Sequence, residues 1–180
     1  PQLALMQRAG LAAARLALAI APHARSIWVA CGPGNNGGDG LEAAMQLLQR
    51  GKAPVVTWLG NADGAPPDAR ASFERARAAG VQFSDTAPAD CDLCIDALLG
   101  IGAARAAHGQ MAEWMARINT LSSPVLAIDL PSGLDADTGM SMGPFVQASH
   151  CLRRRTPTPG RFQATGPAQR GRGVATAPAR

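Results

Sequence analysis

The segment Cys31 to Gly40, "CGPGNNGGDG", stands between the apolar run "SIWVA" and the helical run "LEAAMQLLQR", and few folds accommodate it. Glycine at this density marks a tight backbone turn, and a strand, a glycine turn and a helix in succession open a βαβ unit. The alternation continues along the chain. "APVVTWLG" reads as a second strand, "DARASFERARAAG" as a helix closed by Gly80, and "VQFS" as a short third strand. "CDLCIDALLG" and "PVLAIDLPSG" are the fourth and fifth strands, separated by a helix around "MAEWMARINTL", and another helix runs from about Ala4 to Ala21 ahead of them all. Strands that alternate with helices of this length predict an α/β fold, a doubly wound and mostly parallel sheet with helices on both faces.

The glycine turn also constrains chemistry. "GPGNNG" satisfies the dinucleotide pattern G-x-G-x-x-G, but no acid closes the second strand and Asp63 arrives late, so an ordinary NAD-dependent oxidoreductase fits poorly. No Lys-Ser or Lys-Thr follows the glycines, which removes the P-loop. What remains is a row of backbone N–H groups at a helix N-terminus, suited to an anionic or polar ligand. A turn that serves only helix packing is the competing explanation; Asn35, Asn36 and Asp39 argue against it. "DALLGIG", Asp96 to Gly102, ends the fourth strand with an acid and opening glycines, and "DLPSGLDADTG", Asp129 to Gly139, does the same after the fifth. In an open parallel sheet ligands lie outside the carboxyl ends of the strands, so a Rossmann-like sheet brings all three motifs to one rim.

"GPGNNGGDG", "DALLGIG" and "AIDLPSGLDADTG", in this order, resemble the YjeF N-terminal domain family of NAD(P)H-hydrate epimerases, from "LMQRAG" to about Ala148. The resemblance implies a substrate, the hydrated cofactors NADHX and NADPHX, and an activity, interconversion of their R and S forms. It implies that substrate is bound by Asn35, Asn36, Gly37, Gly38 and Asp39, by the loop Gly100, Ile101, Gly102, Ala103, Ala104, Arg105 and Ala106, and by Asp129. It further implies a potassium ion held by Asn36, Asp96 and Ser132; amide, carboxylate and hydroxyl oxygens do suit a hard cation. Asp129 is the candidate catalytic acid/base, because the reaction needs a proton to be given and taken back. A fused or separate ADP/ATP-dependent dehydratase and a homodimer are the partners the resemblance allows. A catalytically inactive binding or scaffold module is the alternative within the same family.

Residues 1–137 carry ten basic side chains against thirteen acidic ones, while residues 138–180 carry seven arginines and no acid. A nucleic-acid surface would therefore have to be the tail alone. The expected division is an epimerase-like domain over 1–148 and a basic, Pro/Arg-rich tail over 149–180, disordered from about Gln147. There "LRRR" stands where the family has an apolar strand and Thr158 where it has a lysine. Cys31, Cys91, Cys94 and Cys151 lack the spacing of a disulfide framework, which fits a reducing cytoplasm. Cys91 and Cys94 form an isolated C-x-x-C in an apolar strand, and the three histidines are scattered. The first helix, interrupted by Arg8 and Arg15, reads as buried and amphipathic rather than membrane-spanning.

Overall fold

The computed structural model of the chain describes residues 2–100, 106–141, 143–153 and 172–173. Among the described residues, four helices, α1 (Gln2–Ile20), α2 (Asn35–Leu48), α3 (Pro67–Ala78) and α4 (Gly109–Asn119), accompany seven strands. These are β1 (Ser26–Cys31), β2 (Ala53–Trp58), β3 (Gln82–Phe83), β4 (Leu93–Ala97), β5 (Val125–Ile128), β6 (His150–Leu152) and β7 (Arg172–Gly173). They form one all-parallel sheet in the order β3-β2-β1-β4-β5-β6-β7. The order reverses between β1 and β4, which makes the gap above those two strands the switch-point crevice of a doubly wound sheet.

Period-two alternation along β1 sorts its side chains onto two cores. Ile27, Val29 and Cys31 face a core shared with Ala13, Ala14 and Ala17 of α1, Leu41 and Leu47 of α2 and Ala76 of α3. Trp28 and Ala30 face the other, which α4 covers with Trp114, Met115 and Ile118. The Trp28 indole N–H, buried there, donates to Thr57 Oγ1 at 2.9 Å. Both layers expected from the sequence are present.

On α1, Met6, Ala9, Ala13, Ala14 and Ala17 form the buried stripe. A Cβ placed on Gly10 would overlap Glu42 Cβ, so the missing side chain lets α1 pack tightly on α2. Glu42 is itself buried and accepts from Ser72 Oγ at 2.7 Å and Arg75 Nη1 at 3.1 Å, linking α2 to α3 through a satisfied carboxylate. Leu3–Ile20 is long and apolar enough to cross a membrane by length and composition alone, but its buried stripe packs on α2, the amphipathic core helix that the sequence predicts.

The sheet also runs past the boundary expected at residue 148. His150–Leu152 pairs in parallel with β5, Ala127 opposite Cys151 and Ile128 opposite Leu152. From the sequence no strand is expected here, because three consecutive arginines follow Leu152. Of "LRRR", Leu152 lies in the strand and Arg153 after it is exposed, while Arg154 and Arg155 lie outside the described residues. Apart from β7, the tail beyond Arg153 lies outside the described residues, as does the expectation of disorder there.

Candidate active site at the switch point

The strand register sets the rim. Ala30, Asp96 and Ala127 stand abreast on β1, β4 and β5, so the segments that follow each strand leave the sheet side by side. Gly32 is fixed from both sides: its N–H donates to Ala97 O at 2.9 Å and its carbonyl accepts from Trp58 Nε1 at 3.1 Å. A Cβ on Gly32 would run into Leu98 O, so β1 and β4 close on each other only with glycine there.

The helix begins earlier than its sequence suggests. Asn35 to Gly40 belong to the first turns of α2, where each glycine is unfavourable by about 1 kcal/mol relative to alanine. Packing explains them. A Cβ on Gly37 would collide with Gly32 O; on Gly38 it would lie 2.5 Å from Met6 Sδ, and on Gly40 2.7 Å from Ala97 Cβ. Gly34, the N-cap, has open space around it and no side-chain cap. Gly37 and Gly40 seat the helix against Gly32 after β1 and Ala97 of β4, Gly38 admits Met6 of α1, and only the turn at Pro33 to Asn35 faces outward. Asp39 is fully buried on the side of Cys31, whose thiol is pushed up by burial and by the nearby Asp39 carboxylate.

Behind the turn, Asn36, Asp96 and Ser132 are joined through Leu99. Ser132 donates its N–H to Asp96 Oδ2 at 2.8 Å and its hydroxyl to Asp96 Oδ1 at 2.6 Å. Leu99 N–H donates to Ser132 Oγ at 2.8 Å, and Leu99 O accepts Asn36 Nδ2 at 3.0 Å. All three side chains are buried, and Asn36 Oδ1 has no hydrogen-bond partner. Burial pushes the Asp96 carboxyl up to about 6, against the pull of its bonds from Ser132 and Leu98. A buried carboxylate beside an unsatisfied amide oxygen and a hydroxyl is a donor set that a hard monovalent or divalent cation would complete. Among the described residues no group of three His, Cys, Asp or Glu side chains could hold a metal, which leaves the isolated C-x-x-C without partners. Cys91 and Cys94 are buried free thiols.

Asp129 closes the site from the β5 side. It is buried, and among the described residues it is the one non-glycine with positive φ, at 75°. A Cβ on Gly100 would lie 3.3 Å from Asn36 Cβ and 3.4 Å from Asp129 Oδ2, so the first residue of the second glycine loop separates the two. Ile101, Gly102, Ala103, Ala104 and Arg105 lie outside the described residues; Ala106 is exposed, and a Cβ on Gly143 would lie 2.9 Å from its Cβ. The Leu99 peptide is the part of this cluster that sequence reasoning missed. It acts through backbone groups, which leave no mark in a residue pattern.

Residues 2–160 match the family described as YjeF-related protein N-terminus. The chain is 44% identical over 142 residues to a protein of Bordetella pertussis (strain Tohama I) named NAD(P)H-hydrate epimerase, a match that covers 78% of this chain and 62% of that protein. It is 40% identical over 156 residues to a protein of the same name from Limosilactobacillus fermentum, covering 82% of this chain and 72% of that one. A Synechocystis protein named bifunctional NAD(P)H-hydrate repair enzyme Nnr is 40% identical over 158 residues, which is 84% of this chain and 30% of that protein. The match thus spans about three fifths of the Bordetella relative's length. In fold the chain is similar to the crystal structure of yeast ynu0, with a TM-score of 0.72 at 22% identity, over 82% of this chain and 68% of that one.

Proposed function

Since the chain belongs to the YjeF-related protein N-terminus family, we propose that it is an isomerase that interconverts the R and S hydrates of NADH and NADPH in the repair of damaged nicotinamide cofactors. The observation that carries the reading is Asp129: a carboxylate at the crevice, held in a left-handed backbone conformation and set beside Gly100, where no side chain intervenes. Residues kept in such conformations cluster at functional sites. The substrate's hydroxyl is on a carbon bonded to the ring nitrogen. A proton from Asp129 lets it leave as water while the nitrogen lone pair forms the C=N bond of an iminium. Water then adds to either face and returns its proton to Asp129.

The remaining residues orient and exclude. The uncapped N-terminus of α2 at Gly34 and Asn35 offers N–H groups to the pyrophosphate. The same preorganised dipoles hold the ring against Asp129 without rearrangement. Asn36, Asp96 and Ser132 would hold a potassium ion, which would supply positive charge close to the bound phosphates; the unpartnered Asn36 Oδ1 supports that assignment. Asp39, Gly37 and Gly38 contribute from beneath by seating the helix. A dehydratase, fused or separate, would consume one epimer; the cytoplasm is the compartment the reading expects, and a homodimer is compatible with it. The amides and acids retained in all three motifs favour the enzyme over an inactive scaffold.

The test is Asp129→Asn. The amide keeps shape and tolerates positive φ but cannot exchange a proton, and acid/base groups of this kind contribute about 10² to 10⁴-fold. Exchange between R and S hydrates, followed by NMR, should fall by that factor while calorimetric binding of the hydrate persists. Exchange at the parent rate would remove Asp129 from the mechanism.

A further inference from the structure

Asp129 occupies a left-handed backbone conformation, which aspartate enters more easily than most non-glycine residues but still at a cost that its surroundings offset. Its two backbone polar groups point to what offsets it. The N–H donates to Leu152 O at 2.7 Å, and the carbonyl accepts the Cys151 thiol at 2.9 Å. Both partners belong to β6, and both are already in register with β5, Cys151 opposite Ala127 and Leu152 opposite Ile128. The ladder therefore carries Asp129 one residue beyond the last paired position of β5. There the chain leaves the sheet, and a side-chain donor takes the carbonyl that the strand no longer serves.

We propose that β6 is a positioning clamp for the acid/base: the Cys151 thiol and the Leu152 carbonyl together hold Asp129 in its left-handed conformation and so keep its carboxylate at the rim beside Gly100. An extended residue 129 would follow the alternation of the strand, projecting to the Ala127 face and away from the Leu126 and Ile128 face. Burial keeps the thiol in its protonated, donating form, the Cys151 group being pushed up to about 11. The clamp comes from the segment whose composition looked least able to contribute, immediately before Arg153. Its catalytic meaning rests on the acid/base reading of Asp129; the clamp itself does not.

Two measurements separate these. The first is a thermodynamic cycle in urea on Cys151→Ala, Asp129→Gly and the double variant. Both backgrounds lose the same bond to the backbone carbonyl of residue 129 and gain the same cavity at 151, but only Asp129 recovers strain by leaving the left-handed region once unclamped, so Cys151→Ala should cost clearly more in the Asp129→Gly background than in the parent. Equal costs overturn the clamp. The second is steady-state epimerisation by Cys151→Ala and Cys151→Ser: kcat should drop about tenfold or more in the alanine variant with KM little changed, and return in the serine variant, which keeps a donor. If serine is as impaired as alanine at equal stability, the clamp is also overturned. Coupling in the cycle with an unchanged kcat would uphold the clamp and reject Asp129 as acid/base. Should Cys151→Ala not fold, Cys151→Thr and Cys151→Val give the same comparison between near-isosteres with and without the donor.

Discussion

Ser132 gives both its N–H and its hydroxyl to one carboxylate, that of Asp96, and thereby ties the turn after β5 to the end of β4. Ser132→Ala breaks the stronger of those bonds and takes the acceptor from Leu99 N–H. Hydrogen bonds to charged groups contribute about 1.5 to 3 kcal/mol, and an orphaned donor adds to the loss, so the variant should be about 2 to 4 kcal/mol less stable in urea unfolding. A cost below about 1 kcal/mol would mean that the two turns are held together by something else.

Glycines in the first motif should divide sharply by position. Gly40→Ala gains helix propensity but puts a Cβ 2.7 Å from Ala97 Cβ and 2.8 Å from Cys31 Sγ, in a core with no room to yield. Overpacking of this kind costs about 1 to 3 kcal/mol and should outweigh the propensity gain. Gly34→Ser has space around it and supplies the missing N-cap, so its stability should match or exceed the parent's. Its hydrate affinity should fall, because the new side chain covers the N–H groups assigned to pyrophosphate. Unfolding curves and calorimetry on the same two proteins check both statements.

Potassium should raise Tm in a concentration-dependent way that a large organic cation does not reproduce, since an ion that binds only the folded state stabilises it by mass action. In Asn36→Ala, which lacks the unpartnered Oδ1, the response should disappear. A melting curve equally indifferent to both cations in the parent would remove the ion from the site.

At the opposite rim, Asp92 Oδ2 accepts the N–H groups of Arg25 and Ser26 at 2.8 and 2.9 Å, and these bonds hold its carboxyl below the usual range. A depressed folded-state pKa means that the unfolded chain takes up the proton first, so this contribution is complete at neutral pH and is lost as the pH falls below about 4 through the folded-state value. Asp92→Asn should therefore flatten the acid limb of stability against pH. If the parent and the variant lose stability in parallel between pH 5 and 2, the capping bonds carry no linkage.

Strand-helix alternation was enough to place five strands, four helices and the shared rim, because apolar periodicity and glycine punctuation are local signals. The start of α2 was hidden for the same reason. Local propensity places Gly37, Gly38 and Gly40 in a turn, and only the contacts with Gly32, Met6 and Ala97 make them helical. His150–Leu152 escaped notice because three residues paired on a buried neighbour need little intrinsic strand preference. Of the site, Asp96 and Asp129 were legible as acids closing apolar strands, whereas Asn36, Asp96 and Ser132 came together as one oxygen set only through the family resemblance. The Leu99 peptide that connects them, and the φ of Asp129, are properties of backbone that no residue type announces.

That φ narrows the chemistry open to position 129. Among the coded residues, glycine, asparagine, aspartate and histidine enter the left-handed region more readily than the rest, and of these aspartate alone carries a carboxyl. Glutamate, the usual stand-in for an aspartate, would bring the right group on the wrong backbone. The fold has in effect reserved the position for a single carboxylic letter of the alphabet, so a search for faster carboxylate variants has more room among the neighbours of Asp129 than at Asp129 itself.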